Sequence, residues 1–384
     1  MLLSLIFRNV FRHRLRTLLT VVGLTVAVLA FGLLSTVVEA WYAGAEGASN
    51  ARLIVRNSIS LVFPMPLSYR QKIRQIDGVK AISTANWFGG IYKEPKNFFP
   101  QFAVEASTYL DLYPEYLLSD VERKEFMRDR KGALVGEKLA ATYGIKRGDT
   151  VTLKGTIFPG QWEFVVRGIY SGRDAKTDVS QFFFHWEYLN ETLKIRVPRR
   201  ANQVGVYVVE VADPSRVAEI GLAIDSAFRN SNAETLTETE KAFQLGFVSM
   251  TEAIVVAIRL VSYLVIFIIL AVMANTMAMT VRERTAEYAT LKALGFGPLF
   301  LMGLIYGEAL AIAGLGGALG IALTFPVADA FGQAMGTLFR VFVVSDSTVG
   351  LQLACALLVG IVSAVFPARS AVRVNIVDGL RSMA

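Results

Sequence analysis

The stretch from Val281 to Leu323 reads VRERTAEYATLKALGFGPLFLMGLIYGEALAIAGLGGALGIAL. It holds a short charged segment, a Gly-Phe-Gly-Pro break and a long apolar run rich in glycine. Five side chains of the charged segment recur at helical spacing and so share one face: Glu283, Glu287, Thr290, Leu291 and Leu294. Gly295 can end this helix in the left-handed conformation, and Pro298 cannot continue it. The pattern predicts a short rigid helix within residues 281–297, placed to pass force from a cytoplasmic partner into the bilayer.

The whole chain has the composition of a membrane protein. Of its 384 residues, 53% are hydrophobic and only 18% are charged, whereas a soluble domain averages about 25% charged residues. Four apolar runs are each able to cross a hydrocarbon core of ~30 Å as an α-helix. The predicted transmembrane helices, the second one preceded by a stalk, occupy residues 18–40, 241–280, 298–325 and 349–367.

Basic residues indicate which loops face the cytoplasm. They precede the first span, separate the second from the third and follow the fourth, as in Arg8, Arg12, Arg14 and Arg16, then Arg282, Arg284 and Lys292, then Arg369, Arg373 and Arg381. Basic flanks on alternate loops follow the positive-inside rule. We therefore predict a multi-pass protein of the bacterial inner membrane with both termini cytoplasmic, the second of them a tail of residues 368–384. Because the net charge of +7 lies largely in these flanks, no nucleic-acid partner is expected.

The N-terminal residues 1–17 are predicted to form a cytoplasmic amphipathic helix. In the segment from Asn9 to Thr20, the apolar side chains of Phe11, Leu15 and Leu18 lie opposite the arginines. Such a helix lies in the membrane interface, in contact with lipids. The same residues also fit a simple basic flank of the first span, which is expected to remain as an uncleaved anchor.

The long segment between the first two spans is predicted to be an extracytoplasmic α+β domain. Strand–helix–strand patterns at both of its ends, in residues 41–119 and 199–240, predict one α+β lobe. Residues 120–198 show short strands and turns and predict an inserted β-rich lobe. Residues 326–348 are predicted to form a second extracytoplasmic loop. The single cysteine, Cys355, lies in the fourth span, so no intrachain disulfide can form.

The sequence contains no recognisable catalytic constellation. Its two histidines, His13 and His185, have no second ligand at metal spacing, so neither a metal nor a cofactor is expected. The nearest approach to a phosphate loop, Gly132 to Lys138, has the wrong spacing and a glutamate where lysine is required. We expect that the chain is not an enzyme and that a separate subunit binds any ATP that powers it.

The third span carries a carboxylate and glycines at small-x-x-x-small spacing: Gly303 with Gly307, and Gly316 with Gly320. In lipid such pairs let helix backbones approach closely, either within one subunit or between two. Glu308 is a candidate functional residue because charges are rare inside spans. The alternative is a structural hydrogen bond with Asn275 or Thr276. An aromatic-rich set around Trp87 and Phe98 is likewise either core or a docking patch.

Residues 282–323 resemble the core of the FtsX-like (MacB-like) permeases of ABC transporters, which include macrolide exporters and lipoprotein-release permeases. The resemblance rests on Glu283-Arg284, Glu287, Leu291, Ala293 to Gly295, Glu308-Ala309 and Gly314 to Gly320. The C-terminus is similar to the family's tail in Pro367 to Arg369, Ala371 and Val377 to Arg381. It departs from that tail in having Asn375 or Ile376 where proline is usual and Asp378-Gly379 in place of Glu-Ala. Asn9 to Arg12 and Leu15 to Thr20 look like the family's opening helix.

The resemblance implies four transmembrane helices, an extracytoplasmic ferredoxin-like lobe with an inserted β-rich lobe, and a dimer of permeases bound to two ABC ATPase subunits. It implies that the ATPase docks on the short helix, through Arg282, Glu283, Arg284, Glu287, Leu291, Leu294 and Gly295. Transmembrane packing or dimer contacts would fall to Gly303, Gly307, Glu308, Gly316 and Gly320. The family works by mechanotransmission, in which ATPase closure moves the outer domains, and a periplasmic adaptor is a further partner.

Export or extraction of a substrate is therefore the predicted function. The alternative is a signalling scaffold that relays the state of the ATPase to an extracytoplasmic partner such as a cell-wall hydrolase. A four-span receptor without an ATPase conflicts with the charged helix between spans two and three.

Overall fold

The computed structural model describes residues 2–10, 12–174, 176–335, 339 and 341–374. They form a helical unit, Met1–Glu39 with Glu252–Ala334 and Phe342–Ala384, and a sheet unit, Ala40–Thr251 with Met335–Val341. Phe11 of the predicted N-terminal helix and the tail motif at 375–381 lie outside the described residues.

The helices follow one another along the chain as α1 (Leu2–Val10), α2 (Arg14–Glu46), α3 (Tyr69–Arg74), α4 (Ala106–Leu112), α5 (Asp120–Arg128), α6 (Glu137–Tyr143), α7 (Trp186–Arg196), α8 (Val217–Ala227), α9 (Glu240–Ser249), α10 (Glu252–Glu283), α11 (Thr285–Ala293), α12 (Pro298–Ala334) and α13 (Asp346–Val372). The strands are β1 (Arg52–Asn57), β2 (Met65–Pro66), β3 (Val79–Trp87), β4 (Gly90–Tyr92), β5 (Gln101–Val104), β6 (Tyr116–Leu117), β7 (Gly132–Gly136), β8 (Thr150–Gly155), β9 (Gly160–Gly172), β10 (Phe182–His185), β11 (Gln203–Val204), β12 (Val206–Val211) and β13 (Thr235–Thr239).

Four helices of the described residues are long and apolar enough to cross a membrane: α2, α10, α12 and α13. The prediction of four spans is thus confirmed. Their ends differ from those expected, because α2 continues to Glu46 and α12 continues to Ala334 with Pro326 inside it. Apolar length sets only a minimum for a helix, and proline is tolerated within membrane helices because neighbouring groups can satisfy the freed carbonyl.

The predicted single amphipathic helix over residues 1–17 is wrong. The chain turns at Arg12 and His13, between α1 and α2. The Thr17 hydroxyl donates a hydrogen bond to the Val10 carbonyl at 2.5 Å, which satisfies a backbone acceptor at the end of α1.

Residues 241–280, predicted as a stalk and the second span, are also interrupted. α9 ends at Ser249, and α10 begins at Glu252. At the break, the Thr251 hydroxyl donates to the Val248 carbonyl at 3.0 Å, and it accepts a hydrogen bond from the Trp41 indole at 2.7 Å. Threonine side chains that bond the backbone in this way compete with the helix ladder.

One eleven-stranded sheet forms the centre of the sheet unit, in the order β13-β1-β12-β3-β5-β10-β7-β9-β8-β4, with β6 beside β9. β1 and β13 are antiparallel, with Leu53 opposite Thr239. The strands of the predicted insertion, β7 to β10, continue this sheet because β10 pairs in parallel with β5. Both predicted lobes therefore share one sheet, and the insertion also contains α5, α6 and α7.

Both faces of the central strands are buried. Neighbouring residues of a strand point to opposite faces, and Phe182 and Phe184 belong to one apolar cluster whereas Phe183 belongs to another. The aromatic set near β3 is divided in the same way: Phe88 is fully buried, whereas Trp87 is 40% and Phe98 is 54% exposed. It is thus neither wholly core nor wholly surface.

Candidate functional site

The short helix predicted from the sequence is α11, and its C-terminus has the expected stop. Gly295 has a φ of +89°, which is the left-handed region that favours glycine. The amide of Phe296 donates to the Leu291 carbonyl at 3.1 Å and that of Gly295 to the Lys292 carbonyl at 3.0 Å. This hydrogen-bond pattern closes the last turn before α12 begins.

Arg284 lies at the junction between α10 and α11, and its side chain is only 8% exposed. Its Nε donates to Glu287 Oε2 at 2.9 Å, and its Nη1 donates to Glu308 Oε2 at 3.0 Å. The guanidinium carbon is 5.5 Å from the centre of the Tyr288 ring. A buried charge of this kind requires an opposite charge and hydrogen bonds. The expected partners of Glu308, Asn275 and Thr276, are therefore wrong, because the carboxylate is paired with Arg284.

The start of α2 is bound to the same junction. The two terminal nitrogens of Arg16 donate to the two oxygens of Glu283 at 2.6 and 2.7 Å, a bidentate pair. Arg12 forms a further ion pair with Glu287. Together these ion pairs join α2, α10, α11 and α12.

Lys292, on the last turn of α11, contacts the end of α13. Its ammonium donates to the carbonyls of Val372 at 2.5 Å and Val374 at 2.8 Å. Cations near the carbonyl end of a helix also interact favourably with the helix dipole. We refer to the charged residues described so far as the junction cluster: Arg12, Arg16, Glu283, Arg284, Glu287, Lys292 and Glu308.

The interactions within the junction cluster keep Arg284 and Glu287 ionised. Burial lowers the pKa of Arg284. Tyr288, Glu287 and Glu308 together raise it by more than burial lowers it, so the pKa lies above the ordinary value of arginine. Burial raises the pKa of Glu287, yet hydrogen bonds from Arg284 and Arg12 lower it below its ordinary value. Both groups are therefore ionised at neutral pH.

These contacts leave only some residues of the predicted docking face accessible to a partner. Arg284 is internal, while Glu283 and Glu287 are bonded to arginines. Leu294 is 70% exposed, and Arg282 and Thr290 are exposed as well. Leu291 packs partly buried against the apolar core of the helical unit.

Three of the four predicted packing glycines make close contacts within the chain. A Cβ at Gly307 would overlap Ile6 Cδ1, one at Gly316 would lie 2.9 Å from Leu24 Cβ, and one at Gly320 would lie 2.7 Å from Val28 Cβ. Gly303 differs, because no described atom lies within 4 Å of such a Cβ. Close packing within one subunit therefore accounts for Gly307, Gly316 and Gly320.

A buried amide of the helical unit was missed from the sequence. Gln352 is fully buried and donates from Nε2 to the Val28 carbonyl at 2.9 Å and to Thr324 Oγ1 at 2.8 Å, so it joins α13 to α2 and α12. A polar residue in the apolar run of the fourth span was the available signal. Within the described ranges, no group of three or more His, Cys, Asp or Glu side chains is placed to hold a metal ion.

Two family models match the chain. The MacB-like periplasmic core domain matches residues 17–227, and the FtsX-like permease C-terminal region matches residues 259–376. The crystal structure of the extracellular domain of the noncanonic ABC-type transporter YknZ from Gram-positive bacteria aligns with a TM-score of 0.35 at 12% identity. That alignment covers 49% of this chain and 100% of the solved one.

Two relatives show how far the similarity extends. An uncharacterized ABC transporter permease of Methanocaldococcus jannaschii is 26% identical over 403 aligned residues, covering 99% of this chain and 97% of that protein. The macrolide export ATP-binding/permease protein MacB of Shewanella sp. strain ANA-3 is 26% identical over 167 residues, 44% of this chain but only 25% of its own length. Since the first family model alone spans more than half of the sequence, the chain belongs to the ABC transporter permeases that combine a MacB-like periplasmic core domain with an FtsX-like C-terminal region.

Proposed function

We propose that this chain is the transmembrane subunit of an ABC transporter whose ATP is hydrolysed by a separate ATPase subunit. In this proposal the ATPase docks on α11, its closure moves the extracytoplasmic domain, and that movement drives export or extraction of a substrate. The observation that carries the proposal is the junction cluster. Its ion pairs tie the junction between α10 and α11 to α2 and α12, and Lys292 ties α11 to α13. In this proposal a displacement of α11 is therefore passed to several spans at once.

Within α11 and its flanks, we assign docking and transmission to different residues. The exposed Leu294, Thr290 and Arg282 would contact the ATPase. The buried Arg284 and its two carboxylate partners would transmit the displacement. A rigid, ion-paired attachment suits this role because a flexible link would absorb the movement.

The proposed orientation places both termini and α11 in the cytoplasm and the sheet unit outside the inner membrane. A second permease subunit completes the transporter, and Gly303, which has open space around it among the described residues, is a candidate for contact with that subunit. The name of the macrolide-export relatives supports export over signalling. A scaffold that activates a cell-wall hydrolase would use the same cytoplasmic coupling but would bring down a hydrolase rather than an adaptor.

The test is a pull-down from native membranes with tagged full-length chain carrying Leu294→Asp. We expect wild type to bring down an ATPase subunit and Leu294→Asp to lose most of it, because a buried carboxylate without a partner is strongly unfavourable at an interface. Leu222→Asp is the matched control, since Leu222 on α8 is 69% exposed against 70% for Leu294. A wild-type chain that captures no ATPase, or equal losses in the two variants, would contradict the proposal.

A further inference from the structure

Arg52 lies at the start of β1, shortly after α2 ends, and its guanidinium bonds to two other segments of the chain. Its Nε donates to Glu240 Oε2 at 2.7 Å, and its Nη2 donates to Glu115 Oε1 at 2.5 Å. Its Nη1 donates to the Leu112 carbonyl at 2.8 Å. The side chain is only 8% exposed, so these contacts replace water almost completely.

Glu240 is the first residue of α9, the helix through which the chain leaves the sheet towards α10. Besides Arg52, its Oε2 accepts a hydrogen bond from the Ser49 amide at 3.0 Å, and its Oε1 accepts one from the Tyr113 hydroxyl at 3.1 Å. The incoming segment before β1 and the outgoing segment after β13 are thus joined by one carboxylate. The Trp41 indole, which donates to Thr251, adds a second link between them.

The groups bonded by Arg52 also line a cavity. A cavity of about 500 Å³ lies beside these residues, lined among others by Tyr109, Phe243 and Arg173. The Arg52 guanidinium stacks 4.2 Å from the centre of the Tyr113 ring. Removing one partner of such a buried ion pair leaves the other charge without compensation.

We infer that the bonds of Arg52 to Glu240 and Glu115 form a clasp within the sheet unit. The clasp makes the incoming segment, the outgoing segment and the turn after α4 move as one body. The role of the clasp in transmission rests on the proposed function, whereas the clasp itself does not. In that function, movement arriving through α2 and α10 would reach β1 and β13 together. Through Glu115 it would also reach the chain just before the inserted residues 120–198.

Hydrogen exchange of the full-length chain in detergent, without ATP, tests the clasp. In Arg52→Gln, we expect amide exchange in residues 41–57, 112–117 and 235–251 to rise together by at least about tenfold, because the guanidinium that joins the second and third segments to the first is lost. The matched control is Arg56→Gln. Arg56 pairs with Glu238 across the same two strands at 2.8 Å but is more exposed, so its loss should affect β1 and β13 alone.

A second variant isolates one link of the clasp. Glu115→Gln leaves the Arg52–Glu240 pair intact, and we expect faster exchange only in residues 112–117. If Arg52→Gln behaved like Arg56→Gln, or Glu115→Gln left residues 112–117 unchanged, the clasp would be refuted. Because neither ATP nor an ATPase is present, these outcomes are independent of the pull-down. If the chain bound no ATPase but Arg52→Gln showed the joint increase in exchange, the clasp would be supported and the proposed function would be contradicted.

Discussion

At the residue scale, the buried pair of Arg284 and Glu308 should stabilise the helical unit in a way that exposed pairs do not. We expect Glu308→Gln to lower the free energy of unfolding by about 3 kcal/mol, because it leaves the buried Arg284 charge with one carboxylate instead of two. Glu287→Gln should cost less, since that side chain is 39% exposed and solvent screens its interactions. Thermal or denaturant unfolding of the purified chain measures both losses.

The double variant Arg284→Gln with Glu308→Gln supplies the control for this prediction. It removes both charges. Its loss of unfolding free energy should therefore be smaller than the sum of the losses in Arg284→Gln alone and Glu308→Gln alone. Additive losses would show that the two side chains do not interact.

The sequence predicted that Glu308 was unusual but did not identify its partner. Asn275 and Thr276 are polar residues of the preceding span, and their place along the chain made them candidate partners. Arg284 was instead included in the docking set by the resemblance to the permease family. The helical spacing of Glu283 and Glu287 also assumed one unbroken helix, whereas α10 ends at Glu283 and the backbone turns at Arg284, with φ −103° and ψ 16°. A change of direction at one residue redirects its side chain, and sequence carried no signal for it.

At the scale of single elements, the third span should tolerate a large side chain at Gly303 but not at Gly307, which lies one helical turn further along α12. Gly307→Leu would place its side chain against Ile6 of α1, and overpacking of this kind costs about 1–3 kcal/mol. Gly303→Leu meets no described atom within 4 Å, so in the isolated subunit we expect little change. Melting temperatures of the two variants in detergent provide the comparison. Equal melting temperatures would contradict the assignment of Gly307 to packing within the chain.

Element type was predicted better than element length. The long apolar runs fix the existence of α2, α10, α12 and α13, because only a helix satisfies its own backbone in lipid. Their ends depend on side-chain hydrogen bonds such as that of Thr17 to Val10 or of Thr251 to Val248. These involve residues whose hydroxyls fit a helix interior equally well, so the breaks were missed.

At the scale of the whole molecule, the proposed orientation predicts opposite accessibility for two equally exposed leucines. In a Cys355→Ala background, Leu222→Cys should react with a membrane-impermeant maleimide added to intact spheroplasts, because α8 belongs to the sheet unit. Leu294→Cys should react only after the membrane is permeabilised, because α11 is proposed to be cytoplasmic. Labelling of both sites from the same side would contradict the four-span orientation.

The two predicted lobes illustrate why the global arrangement could not be obtained from sequence. Strand patterns are local, and strands are present in each of the two predicted lobes. The pairing of β5 with β10 joins segments far apart along the chain in parallel, and such long-range pairing has no local sequence signal. The short strands and turns of residues 120–198 therefore predicted a separate lobe, although these strands belong to the same sheet as their neighbours.

The adjacency of β1 and β13 has a consequence for how such proteins can be recombined. The chain enters the sheet at Arg52 and leaves it after Thr239, and these strands are direct neighbours, with Leu53 opposite Thr239. Neighbouring strands lie about 4.8 Å apart, so the two ends of the segment from β1 to β13 lie one strand spacing apart. Another domain whose first and last strands form an antiparallel pair would present its two ends at the same spacing. The segment from β1 to β13 can in this sense be exchanged between α2 and α10 without lengthening either connection.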